Sequence, residues 1–154
     1  MNKVFVAGFQ ALLIVPVTVL AIGMTAKVSF GQGNQSQLYN PIPLTHSNEL
    51  TDTLSEEDIP TGQGGFARDY TLPLKKGDNL VIDLSSESFD TIITLLAPNG
   101  VTLVENDDGP DGSSNSLLFT RINEEGTYII RVRSFGETGV GEFKLKVTKL
   151  QPLK

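Results

Sequence analysis

FDTIITLLAPNGVTLVENDDGPDGSSNS, residues 89–116, reads as a strand, a tight turn, a second strand and a long acidic loop. Thr91–Ala97 (TIITLLA) is apolar on both faces, the pattern of a central strand covered from both sides. Pro98-Asn99-Gly100 then turns the chain: proline presets φ near about −65°, and Asn and Gly tolerate positive φ. Val101, Leu103 and Glu105 carry the second strand to Asn106-Asp107-Asp108-Gly109-Pro110-Asp111. One short stretch thus holds both the clearest strand signal and the densest set of oxygen-bearing side chains.

The period of two continues on either side. Upstream, Phe66, Tyr70, Leu72 and Leu74 share one face, while Asp69, Thr71 and Pro73 share the other. Arg68 interrupts the apolar side, so the inward face is expected to begin at Tyr70. Lys75–Asp78 turns the chain, and Leu80, Ile82 and Leu84 alternate with Val81 and Asp83. Downstream, Ser116–Ile122 restarts the strands and Asn123–Gly126 turns again. Tyr128, Ile130 and Val132 alternate with Ile129, Arg131 and Arg133, the arginines marking solvent. After a glycine-rich turn at Gly136–Gly141, Phe143, Leu145 and Val147 alternate with Lys144, Lys146 and Thr148. Seven to eight short strands without a helix-period window predict an all-β fold, a jelly-roll-like antiparallel β-sandwich.

The 154 residues leave room for one ordinary domain, and the first thirty-one read as something else. Lys3 is the only charge in the first ten, and Ala11–Met24 has Thr18 as its only polar side chain. Basic start, apolar middle and small residues are the layout of a secretory signal peptide, cleaved after Ala26 or, preferably, after Gly31. An uncleaved anchor is the competing reading, since a bilayer needs roughly 20 apolar residues, and Gln10 and Pro16 weigh against it. Residues 32–46, rich in Gln, Asn and Pro, are expected to be a flexible linker, and 47–154 the domain. A short first strand is expected near Glu49–Thr53. The destination is then the periplasm or the medium, with no stable membrane span.

Charge and cysteine content narrow the function classes. The chain carries a net charge of −6; losing residues 1–31 removes Lys3 and Lys27, leaving 10 basic against 18 acidic residues, a charge of −8. Such a surface repels phosphate backbones, so nucleic acid is excluded as a partner. With no cysteine there is no disulfide framework, thiolate metal site or lipid anchor. Stability must come from an apolar core.

From about Leu50 to Leu150 the residues resemble the bacterial pre-peptidase C-terminal domain family. The resemblance is carried in order by Leu54-Ser55 with Asp58, Asp69-Tyr70, Lys76-Gly77-Asp78, Ser88-Phe89-Asp90, Pro98-Asn99-Gly100 and Asn106-Asp107-Asp108. It continues through Asn115-Ser116, Gly126-Thr127-Tyr128, Val132 with Ser134, and Gly141-Glu142-Phe143-Lys144-Leu145. Leu72 stands where the family usually has an aromatic, and Phe143 where it often has Tyr. The resemblance implies a sandwich found at the ends of secreted hydrolases, acting as a non-catalytic accessory module in secretion, maturation or polymer binding. No peptidase domain precedes it here, so the module is expected to act alone or on a separate protein.

Asn106, Asp107, Asp108 and Asp111 pack hard oxygen donors at a density that suits Ca²⁺, which takes six to eight oxygens in irregular geometry. Asp90 joins the set if its strand pairs beside the loop. The spacing is not that of an EF-hand, because Gly109 and Leu118 fall where carboxylates are needed. The competing reading is that Asp, Asn, Gly and Ser here only satisfy turn backbone. Related collagen-binding modules hold calcium near the domain start, yet Glu49, Asp52, Glu56, Glu57 and Asp58 do not match that motif. His46, the one histidine, lies in the expected linker, and Ser113, Ser114 and Ser116 lack a nucleophile-elbow pattern. Exposed aromatics would mark a polymer platform; there is no Trp and there are three Tyr, and Phe135 is the one ring expected at the surface. The expected function is an exported, non-catalytic binding or accessory module for an envelope or secreted protein or an extracellular polymer. A cell-envelope hydrolase and a calcium-dependent carbohydrate module are the alternatives.

Overall fold

The computed structural model describes residues 39–44, 49–62, 64–110, 112–136 and 138–150. The expected signal peptide, most of the linker, His46 and Asp111 lie outside these residues. Ten strands follow in order: β1 (Ile42–Pro43), β2 (Glu49–Leu54), β3 (Ile59–Pro60), β4 (Phe66–Leu74), β5 (Asn79–Ser85), β6 (Thr91–Leu96), β7 (Thr102–Asn106), β8 (Ser116–Arg121), β9 (Gly126–Ser134) and β10 (Gly141–Leu150). Eight of them have five residues or more. They form two sheets. Sheet A runs β1-β4-β9-β6-β7 with β3 also on β4, and sheet B runs β2-β10-β5-β8. No helix among the described residues is long and apolar enough to cross a membrane.

Alternation decides which side chains meet between the sheets. Tyr70, Ile93, Leu95, Ile130 and Val132 of sheet A pack with Leu54, Ile82, Leu84, Phe143 and Leu145 of sheet B in one apolar cluster. Each fully buried side chain of this size contributes about 1.5–3 kcal/mol. Phe143 meets Tyr70 and Phe89 edge to face, both at 6.3 Å between ring centroids. β6, expected to be covered on both faces, is buried at all six positions. Ile93 and Leu95 enter the core, while Ile92, Thr94 and Leu96 on the outer face are only 8%, 4% and 8% exposed.

Three expectations change. Arg68 does not end the inward row of β4: its Nε donates to Asp52 of β2 in the opposite sheet at 2.9 Å, so the row continues to the rim as an ion pair. Asp69, on the outer face, is buried at 3% exposure because the chain before the sandwich covers it. That cover is the second part of the expected linker. Ile42 and Pro43 pair parallel to Tyr70 and Thr71, Leu44 N donates to Thr71 O at 2.9 Å, and Tyr39 Oη donates to Asp69 Oδ2 at 2.8 Å. The edge of β4 would otherwise expose unpaired backbone groups, and a proline-flanked extended segment suits an edge position.

The glycine-rich turn before β10 has a steric cause. A Cβ on Gly139 would run into Ser134 and Phe89, and one on Gly141, whose φ is +138°, would run into Ser88. Close approach of this turn to the segment between β5 and β6 seals one end of the core.

Candidate functional site

The Asn and Ser residues of the 106–116 loop turn out to hold backbone. Asn106 Nδ2 donates to Asp108 O at 2.7 Å and to Leu117 O at 2.8 Å, and Leu117 N donates to Asp108 O at 3.0 Å. Asn115 Oδ1 accepts from Ser86 N at 3.1 Å. Deeper in, the Thr91 and Ser116 hydroxyls stand 2.6 Å apart, and Ser116 Oγ donates to Thr91 O at 2.7 Å. These two buried residues join β6 of one sheet to β8 of the other. Buried polar groups are tolerated when paired in this way.

The carboxylates of the set are spread out. Asp107 lines a hollow with Ile92, Arg133 and Phe135. Asp108 and Asp90 are exposed, and the main-chain carbonyl of Asp90 accepts from Phe135 N at 2.7 Å. Among the described residues no three His, Cys, Asp or Glu side chains gather in a way that could hold a metal ion. Asp90 stands just before β6, Asn106 ends β7 with its amide nitrogen on Asp108 O and Leu117 O, and Asp111 lies outside the described residues.

The concave feature of the domain is on the outer face of sheet A. A hollow of about 440 Å³ has Ala67, Thr94 and Leu96 on its floor, with Thr61 and Thr102 at its sides. It shares Ile59, Pro60 and Ala67 with a hollow of about 410 Å³ bounded by Tyr39 and Ile42. It also shares Thr61, Glu105 and Arg133 with the third hollow, of about 360 Å³, reaching Phe135. The three form a groove running from Tyr39 to Phe135. Sequence places its floor exactly one residue out of phase with the core, since Ala67, Thr94, Arg131 and Arg133 are the outward members of alternating strands.

Two ion pairs cross this groove. Arg131 grips Asp69 with both arms, Nε to Oδ1 and Nη2 to Oδ2, each at 2.8 Å. Tyr39 adds its hydroxyl to the same carboxylate, and burial followed by that hydrogen bond pushes the phenol pKa up to about 12. The hydrogen bonds to Asp69 hold the Arg131 guanidinium above its ordinary range. Further along, Glu105 Oε2 accepts from Arg133 Nη2 at 2.7 Å and from Thr94 Oγ1 at 2.5 Å. Every guanidinium in the groove thus faces a carboxylate, and the arginines that the sequence marked as solvent-facing are tied down.

A second charged cluster sits at the rim between the sheets. Arg68 bridges Asp52 and Asp58, the latter at 2.6 Å, while Tyr70 Oη donates to Asp52 Oδ2 at 2.7 Å. Asp58 also accepts from Ser55 N at 2.8 Å. Burial would raise the Asp52 carboxyl, but hydrogen bonds from Tyr70, Thr53 N and Arg68 outweigh it and hold the pKa below the usual range. Burial and the bond to Asp52 push the Tyr70 phenol upward.

Among the described residues three exposed rings, not one, mark the surface: Tyr39 at 47%, Phe119 at 62% and Phe135 at 58%. Phe119 was readable from alternation, because Ser116 and Leu118 point inward and the residue between Leu118 and Thr120 must point out. Tyr39 carried no such signal, since its position depends on a pairing with β4 far along the chain.

Residues 67–134 match the family model of the bacterial pre-peptidase C-terminal domain. No curated protein matches the chain. Among solved structures, the pre-peptidase C-terminal domain of collagenase from Bacillus anthracis superposes with a TM-score of 0.53 at 13% identity, over 71% of this chain and 95% of that one. PliG of Aeromonas hydrophila, a periplasmic lysozyme inhibitor of g-type lysozyme, aligns with a TM-score of 0.49 at 16% identity, over 71% of this chain and 96% of its own. The likeness to the collagenase domain is one of fold.

Proposed function

We propose, for a chain whose residues 67–134 match the family model of the bacterial pre-peptidase C-terminal domain, that it is an exported, non-catalytic module that binds an extended polymer or partner along the outer face of sheet A. The observation that carries this reading is the groove from Tyr39 to Phe135, whose floor is formed by residues facing away from the core. Binding sites are concave, with an apolar floor and a few fixed polar groups, and this groove has that composition. The groove floor comes from β4, β9 and β6, each held by ladders on both sides, and its arginines are tied to carboxylates, so these polar groups are fixed before a ligand arrives.

Thr102 tests the reading because it is exposed, lines the groove and makes no core contact. Thr102→Arg should leave the melting temperature within about 1–2 °C of wild type, as surface substitutions do. Binding to arrays of extended peptides and envelope polymers should fall at least about tenfold, a change of about 1.4 kcal/mol. Binding unchanged by this substitution would move the site elsewhere.

Ca²⁺ held by oxygens of Asp90, Asn106, Asp107, Asp108 and Asp111 is a separate proposal. An ion that binds the folded state adds to its stability, so Ca²⁺ should raise the melting temperature and EDTA lower it. Asp107→Ala together with Asp108→Ala should erase the difference, and identical curves for wild type in both buffers would retire the ion.

A further inference from the structure

The groove has a chemical character that selects among extended ligands, and the inference drawn from it rests on the groove being the binding site. An anionic ligand finds no unpaired cation there, because Arg131 is held by Asp69 and Arg133 by Glu105, and the whole chain carries −6. A peptide laid against a sheet is ordinarily captured by the free backbone groups of an edge strand. The groove floor instead comes from β4, β9 and β6, whose backbones are occupied by neighbouring strands, so it offers side chains only. What these side chains offer is hydroxyl recognition. The Glu105–Arg133 pair places guanidinium donors beside an exposed carboxylate, Arg131 adds a partly exposed guanidinium whose Asp69 partner is buried, and a sugar hydroxyl both donates and accepts.

The two ends of the groove add flat apolar surface. Tyr39 is half exposed yet fixed, its hydroxyl bonded to Asp69. Phe135 is more than half exposed, and its main-chain N–H is tied to the carbonyl of Asp90. The Tyr39 ring, held by its hydroxyl, loses little freedom when a pyranose face covers it, and both rings supply large contact area. We infer that the groove takes an uncharged polysaccharide strand, its sugar rings stacking on Tyr39 and Phe135 and its hydroxyls bonding the Glu105–Arg133 pair and the exposed side of the Arg131 guanidinium.

Affinity gel electrophoresis of the purified chain tests this, with gels containing hydroxyethyl cellulose, galactomannan or dextran as uncharged polymers, polygalacturonate as a charged one and gelatin as a peptide polymer. Retardation is expected with at least one uncharged polymer, and it should weaken at least about tenfold in Phe135→Ala and in Tyr39→Ala, a change of about 1.4 kcal/mol. Phe119→Ala removes an exposed ring from sheet B and should leave retardation unchanged. Tyr39→Phe, which keeps the ring without its anchor, should fall between wild type and Tyr39→Ala. Retardation by none of the uncharged polymers, or retardation indifferent to both groove rings, overturns the inference. Retardation in gelatin alone, lost in Thr102→Arg, overturns the sugar class while leaving the groove in place. Sugar retardation kept in Thr102→Arg and lost in Phe119→Ala overturns the groove itself.

Discussion

Arg68 occupies a position where an unpaired charge would be costly, and it is retained because Asp52 reaches it from β2 and Asp58 from the turn that follows β2. Arg68→Met should destabilise by about 1–3 kcal/mol in urea melts, since it leaves two partly buried carboxylates without their donor. The depressed Asp52 pKa gives the cluster a pH signature. A carboxyl lowered in the folded state contributes stability above its unfolded pKa of about 3.9, and that contribution is lost as pH falls through the folded value. Wild type should therefore lose more melting temperature between pH 5 and pH 2.5 than Asp52→Asn does; equal slopes would remove Asp52 from the acid response. At this scale the sequence spoke in part. Alternation told which way Tyr70 and Ile130 point, because one inward residue in two is a local rule. It misjudged Arg68, because tolerance of an inward charge depends on Asp52 and Asp58, whose proximity is a property of the assembled sheets. It marked Asn106 as an oxygen donor, and could not show that the amide nitrogen of the same side chain ties Asp108 O to Leu117 O, partners that only folding brings within reach.

The strands themselves were largely legible, and β1 was not. Thr91–Leu96 and Gly126–Ser134 announce themselves by pattern, but a single isoleucine between two prolines has no period, and Ile42 becomes a strand only because β4 presents an open edge beside it. Its contribution can be isolated. A chain cut so as to lack residues 39–44 should keep the sandwich, since Asp69 retains both bonds to Arg131, and should lose about 2 kcal/mol, the worth of a hydrogen bond to a charged group with some packing from Leu44. Backbone amides of β4 facing the vacated edge, Thr71 among those whose carbonyl partner leaves, should then exchange faster with deuterium. Unchanged exchange would mean that β1 adds nothing to the sheet. The acidic loop and the groove divide the candidate site in the same way: the loop was visible as composition, while the groove arises from outward residues of three non-adjacent strands and has no contiguous sequence to read.

For the whole molecule, the match at 67–134 covers only part of what folds. Sheet B is built around β10, which pairs with β2 on one side and β5 on the other, and both β2 and β10 lie beyond the matched range. The same pairing sets how the domain bears load. β2 and β10 run antiparallel, with Glu49 opposite Lys146 and Leu54 opposite Gly141, so the strand start nearest the amino end lies beside the strand end nearest the carboxyl end. Once the short β1 has come off β4, tension applied through the two ends of the chain pulls these strands apart like a zipper, breaking one rung at a time, rather than shearing all rungs together. Single-molecule stretching from end to end should show a low rupture force, well below that found when the same domain is pulled from a turn at the opposite pole. A module moored through its amino end and gripping a surface through its outer sheet would carry strain along a path that bypasses this weak seam.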